Sequence, residues 1–276
     1  MKIEWSAASK ADYYGSRSST GTWHSFSSDG FETDFESMTA MPDGSVQYMA
    51  RKKSDGFLYH NIRYSNGTLQ GWAKPNGYNG AASFSGLGPA IAGMPDGSAQ
   101  VVGIGLDGRL YHRIRNNDTT WTPWAQMQGR PGESTFPARK VAIAGIGDGT
   151  AQVYAYSSDN NGLYTTTRNA AGTSWTTWSQ VDPGGDGGFG PDLAVGAGAN
   201  GLAMPNNSSQ FLAIGTDGKV YHILRTPTGP GGAPSTADGE PSTSPPPASP
   251  SPECPTAVAR PSSSTKTATS GSTSAT

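Results

Sequence analysis

Cysteine occurs once in the chain, at Cys254, and a single thiol excludes an internal disulfide framework. Charge is scarce as well: 14% of the 276 residues are Asp, Glu, Lys or Arg, with a formal net charge of −2. There is no basic excess to hold a nucleic-acid backbone or an anionic membrane surface. No run reaches the roughly eighteen apolar residues that a spanning helix needs. The N-terminus has no positively charged start followed by an apolar core and a small-residue cleavage site, so no signal peptide is expected. GxSxG, HExxH and phosphate-cradling glycine motifs are missing too. No cofactor, no metal ligand set and no catalytic residue is therefore nominated.

Glycine is what the chain has in plenty, 38 residues together with 21 prolines, which suits one all-β domain with many tight turns. The stretch MPDGSAQVVGIGLDGRLYHRIRNNDTTWTPW, residues 94–124, shows how it is built. Pro95-Asp96-Gly97 presets one backbone angle and supplies a glycine for a positive one, so it predicts a turn. Residues 100–105 form a short Val-rich strand. Asp107-Gly108 predicts a hairpin. The next strand, 110–115, alternates so that Leu110, His112 and Ile114 face one way and Tyr111, Arg113 and Arg115 the other. Another extended piece begins at Trp121–Trp124, and residues 89–93 supply one in front. The unit is about four short antiparallel strands, the content of one propeller blade.

Copies of this unit lie on both sides. Tyr111 and Arg115 recur as Tyr13 and Arg17, Tyr59 and Arg63, Tyr164 and Arg168, and Tyr221 and Arg225, at steps of 46, 52, 53 and 57 residues. Gln100 recurs as Gln47, Gln152 and Gln210, and Trp124 as Trp72 and Trp178, with Phe26 at that place in the first copy. A period of this size with four strands per unit predicts an all-β propeller of four-stranded antiparallel blades, about five of them from the copies present. The repeats span about 1–34, 35–87, 88–138, 139–198 and 199–239. The first copy lacks its opening strand, so either the chain starts inside a longer one or the missing strand comes from the other end.

Blade packing explains the residue pattern. Both faces of each blade are covered by neighbours, and small residues are needed where the inner strands crowd the axis. Residues 90–93, 141–145 and 201–203 are accordingly read as inner strands. After Arg225 the pattern fails: Gly232 and Ser235 stand where tryptophans are due. Residues 240–276 are almost wholly Ser, Thr, Pro, Ala and Gly, which predicts a disordered tail. Two origins fit it, a flexible linker to something beyond or a spurious reading frame after a truncation.

DGRLYHRIR at 107–115 followed by WTPW at 121–124 resembles the repeat of tachylectin-like and Photorhabdus-lectin-like β-propellers, in wording closest to copies in secreted actinomycete proteins. The resemblance covers about residues 1–225 and implies a ring of five blades, as in the tachylectin type, or an incomplete ring of seven, as in the Photorhabdus type. It implies an extracellular, non-catalytic protein that binds glycans or cell-surface polysaccharide in shallow pockets between blades, where sugar C–H faces pack on aromatic rings. The candidate binding residues are Trp72, Trp121, Trp124, Trp175 and Trp178, with Tyr59, Tyr111, Tyr164 and Tyr221 and their partners Arg63, Arg115, Arg168 and Arg225. The plainer reading stands beside this: a tryptophan recurring once per repeat suits blade packing, and the Tyr and Arg pairs could tie one blade to the next.

His60, His112 and His222 share one repeat position, held by Tyr14 and Thr165 in the other copies. Because they belong to different blades they are read as structural. Asp43, Asp96 and Asp148, and Asp55, Asp107 and Asp217, are lone Asp turns rather than the clustered carboxylates of a calcium loop. Two other functions remain open, a targeting or scaffold module of a secreted enzyme and a propeller glycosidase; the latter needs a non-repeating acidic and basic cluster that the sequence does not reveal. The sequence does not set the oligomeric state.

Overall fold

The computed structural model describes residues 3–5, 12–14, 20–23, 27–28, 30–75, 84–85, 88–181, 189–196, 207–215 and 219–225, with side chains omitted for some of these near the two ends. The predicted disordered tail, 240–276, lies outside them. A single compact unit spans Met1–Pro241.

The described residues form five antiparallel sheets and no helix. Sheet 1 holds β1 (Ile3–Trp5), β2 (Asp12–Tyr14) and β3 (Ser27–Ser28). Sheet 2 holds β4 (Thr33–Ala40), β5 (Val46–Lys52) and β6 (Leu58–Arg63), and an isolated bridge between His60 and Ala73 stands where a fourth strand would run. Sheet 3 is β7 (Ala90–Gly93), β8 (Ala99–Ile104), β9 (Leu110–Arg115) and β10 (Ala125–Gln126). Sheet 4 is β11 (Ala138–Gly145), β12 (Ala151–Ser157), β13 (Leu163–Arg168) and β14 (Ser179–Gln180). Sheet 5 is β15 (Phe189–Gly196), β16 (Ser209–Gly215) and β17 (Val220–Arg225). Strands pair in chain order within every sheet, which is the up-and-down meander of a propeller blade.

The repeat register places sheet 1 one strand later in the pattern than the others. Tyr13 pairs with Ser28 as Tyr111 pairs with Gln126, so β2 and β3 are the third and fourth strands of a blade. The described strands of sheet 1 are therefore the second, third and fourth of the blade pattern.

Inner strands β4, β7, β11 and β15 pack side by side in that order. Here the backbones nearly touch. The Gly93 N–H donates to Thr39 Oγ1 at 2.8 Å and the Ile91 N–H to Ser37 Oγ at 3.2 Å. A Cβ at Gly93 would lie 2.6 Å from the Ala40 carbonyl oxygen, and one at Gly145 would collide with the Gly93 carbonyl oxygen. That approach is why the inner strands read AIAG. The middle strands β8 and β12 are buried along their whole length, since neighbouring blades cover both faces.

The fifth sheet corrects one sequence reading. Its inner strand is β15, Phe189–Gly196, with Gly196 opposite Gln210, and not residues 201–203, which the sequence predicts for that role. Ala194-Val195-Gly196 matches Ala90-Ile91-Ala92, since Gly196 faces Gln210 as Ala92 faces Gln100, and the connection to β16 is longer than in other blades, so aligning MPNNS with MPDGS puts the strand too far forward. Residues 201–203 themselves lie outside the described residues.

Candidate functional site

Two tryptophan positions of each repeat have different surroundings. The second belongs to an aromatic cluster inside its own blade. Trp72 stacks on Phe31 with ring centroids 4.5 Å apart, and Phe31 meets Tyr59 edge-on at 5.0 Å. Phe84 contacts Trp124 at 4.7 Å and Tyr111 at 6.4 Å. Phe136 contacts Trp178 at 4.3 Å and Tyr164 at 5.6 Å. The same trio is built three times, and Trp178 is additionally fixed by its Nε1–H donating to the Gln128 carbonyl at 2.8 Å.

The tyrosines are pinned within their own hairpins. Tyr59 and Tyr111 each donate their hydroxyl at 2.8 Å to the carboxylate four residues earlier, Asp55 and Asp107. In sheet 4 the Asn160 Nδ2–H donates to the Tyr164 hydroxyl at 2.8 Å. Burial, and then the Asp55 contact, push the Tyr59 phenol up to about 12. Tyr111 is raised for the same reasons, burial before Asp107. Tyr221 is half-buried against the cluster containing Tyr154 and Phe211. The side chain of Arg225 lies outside the described residues, and Arg63 is half-buried at the end of β6.

The first tryptophan of each pair instead reaches the neighbouring blade. Trp121 of sheet 3 meets His60 of sheet 2 edge-on, centroids 5.1 Å apart at 81°. Trp175 of sheet 4 meets His112 of sheet 3 at 5.1 Å and 83°. Each pair lines an open cleft. The first cleft, about 330 Å³, is lined by His60, Tyr64, Gln70, Lys74, Arg115 and Trp121 among others. The second, about 850 Å³, includes His112, Gln126, Arg130, Thr166, Trp175 and Trp178 in its lining.

Both imidazoles are buried, at 3% and 8% exposure, and each Nε2 hydrogen-bonds a glutamine of its own blade: His60 to Gln47 Oε1 at 3.0 Å, His112 to Gln100 Oε1 at 2.6 Å. Burial is the main cause that brings His60 down to about 3, helped by the positive charges of Arg115 and Arg113. His112 falls to about 3 through burial and then Arg168. Both rings are neutral at physiological pH. With Nε2–H donating to the glutamine oxygen, Nδ1 is left as an acceptor.

Arginines separate the two clefts. Arg113 is fully buried, with its guanidinium 4.6 Å from the Trp121 ring and 5.3 Å from that of Trp124, so it braces the tryptophan pair by cation–π contact. Arg115 lines the first cleft at 9% exposure. Its repeat partner Arg168 is turned away, with Nη2–H donating to the Gly172 carbonyl at 2.6 Å. In the second cleft the cation is Arg130, which is neutralised by Asp159 and by Glu133 at 2.8 Å. The same contact holds the Asp159 carboxyl down at about 2.

Of the predicted residues, then, the structure brings Trp121 and Arg115 together in one cleft and Trp175 and Trp178 in the other. Trp72 and Trp124 pack inside their blades, as do Tyr59, Tyr111 and Tyr164. His60 and His112, read from the sequence as structural, line the clefts. A signal for them was present. The histidine stands where the next repeat supplies the first tryptophan (His60 and Trp121, His112 and Trp175), and other residues stand where it does not (Tyr14 and Leu69, Thr165 and Gly232).

The turn carboxylates are engaged locally. Asp43, Asp96 and Asp148 each accept from the backbone N–H and hydroxyl of the residue two further on, at 2.6–2.9 Å. Among the described residues no group of three His, Cys, Asp or Glu could hold a metal ion, and no helix is long and apolar enough to cross a membrane.

No family model and no curated protein matches the chain. Solved structures do. A lectin from Burkholderia pseudomallei has 18% identity and a TM-score of 0.61, over 82% of this chain and 63% of that one. A variant of the Aleuria aurantia lectin, in complex with Fucα1-6GlcNAc, has 12% identity and a TM-score of 0.56, over 86% and 73%. A leech intramolecular trans-sialidase has 13% identity and a TM-score of 0.50, over 74% and 33%. The chain thus spans less than two thirds of the length of the Burkholderia lectin. At these identities the likeness establishes the β-propeller fold.

Proposed function

We infer that this chain is a non-catalytic, extracellular carbohydrate-binding propeller with its sites between blades. The observation that carries this reading is the His–Trp pair built twice, at 5.1 Å, in clefts at two successive blade junctions. An indole half-exposed in a cleft offers a face to sugar C–H groups, and a neutral imidazole fixed by glutamine offers one acceptor to a hydroxyl. Two lectins with this fold, one of them holding a fucosylated disaccharide, support the reading and place fucosides in the first test panel.

The test is a glycan array probed with the full chain, followed by titration of whatever binds. Trp121→Ala and Trp175→Ala should each weaken binding by about ten-fold or more, the loss of one aromatic platform, while circular dichroism stays unchanged. A folded chain that binds no glycan would instead support a targeting or scaffold module.

A further inference from the structure

The two clefts differ in charge. Among the described residues, the first is lined by two cations, Arg115 and Lys74, and by no carboxylate. Lys74 is already matched by Asp55 at 3.4 Å. Arg115 is not: nine-tenths buried, it makes no side-chain hydrogen bond or ion pair among the described residues. The groups that act on its charge through space are Tyr64 and Asp43, and the Asp43 carboxylate is taken by the backbone and hydroxyl of Ser45 at 2.9 and 2.6 Å. The Arg115 side-chain nitrogens are not among the sealed, unpartnered atoms of the described residues, so the guanidinium reaches the cleft, where its planar fork fits an oxyanion in bidentate fashion.

We propose that the cleft between sheets 2 and 3 takes an oxyanion-bearing saccharide, its carboxylate or sulfate paired with Arg115 and its ring against Trp121. The second cleft takes neutral sugar, because Arg130 there is satisfied by Asp159 and Glu133 and Arg168 is tied to the Gly172 carbonyl. This rests on the carbohydrate reading and adds to it that adjacent sites on one chain select different saccharides.

The experiment is calorimetric titration of the full chain with trigalacturonate, with its methyl ester and with a sulfated disaccharide. The free acid should bind about ten-fold or more tightly than the ester, as expected for a charge-assisted pair, and more weakly as salt is raised. Arg115→Gln should erase the difference between acid and ester, and Arg115→Lys should restore part of it. Preference for the sulfated sugar over the uronate would support the same site with sulfate as its anion. Equal affinity for all three probes would overturn the proposal, as would a folded Arg115→Gln chain that keeps the acid preference. Should that variant not fold, the comparison of acid and ester on the unaltered chain decides alone. Binding of neutral glycans without any acid preference would sink this inference and leave the carbohydrate reading standing. A folded chain that binds no saccharide would remove both.

Discussion

At the scale of single residues, the buried histidines make stability depend on pH with a definite sign. His60 and His112 are held near 3 in the folded chain and return to the ordinary value of about 6.5 once unfolded. As pH falls below that value the unfolded chain takes up protons that the folded chain refuses, so stability declines between about pH 6.5 and 3. The slope approaches about 1.4 kcal/mol per pH unit for each ring. Carboxylates with depressed values, Asp43, Asp55 and Asp159 among them, add a further loss below about pH 4. Urea melts at pH 7, 6, 5 and 4 should show the decline, and His60→Asn with His112→Asn should flatten it in the upper part of the range. A smaller effect belongs to Tyr111→Phe, which removes the hydroxyl bond to Asp107 and should cost about 0.5–1.5 kcal/mol with no change in glycan binding.

At the scale of strands and turns, the inner edge is where substitution is least tolerated. Gly93→Ala and Gly145→Ala each place a methyl group against a neighbouring backbone carbonyl, which cannot swing aside as a side chain can. Each should lower stability by about 1–3 kcal/mol or more in denaturant melts. The sequence makes this edge legible: the small residues of 90–93 and 141–145 are where it predicts inner strands. Strand β9 is likewise read to the residue, because Asp107-Gly108 fixes the turn and alternation fixes the face. Residues 201–203 mislead since a turn motif, MPNNS, recurs without the strand spacing that accompanies MPDGS elsewhere. The roles within WTPW are not legible from one repeat, because a three-residue spacing does not say which ring stays at home and which crosses to the next blade. That distinction appears only when the residue facing the ring, His60 or His112, is known to come from the preceding sheet.

At the scale of the molecule, stability and the clefts are both properties of neighbouring sheets. Each sheet is covered by the next on faces that carry Val, Ile and Ala, so no single sheet could stand alone. If the clefts bind glycan as proposed, two of them on one chain would bring avidity. A glycan polymer presenting suitable residues at both junctions should be held about a hundred-fold more tightly than the matching monomer. Surface plasmon resonance against immobilised polymer should show that gain disappear when either Trp121 or Trp175 alone is changed to alanine.

The halved construction of each cleft bears on how such proteins diversify. A histidine on one sheet and a tryptophan on the following one frame each cleft, so sheet 3 carries Trp121 for one and His112 for the other. Duplicating a sheet inherits both halves at once and creates a junction from parts that have already been tried. Altering one half, as Arg115 and Arg168 differ across adjacent junctions, would change one cleft and leave the next intact. Innovation in this architecture is combinatorial.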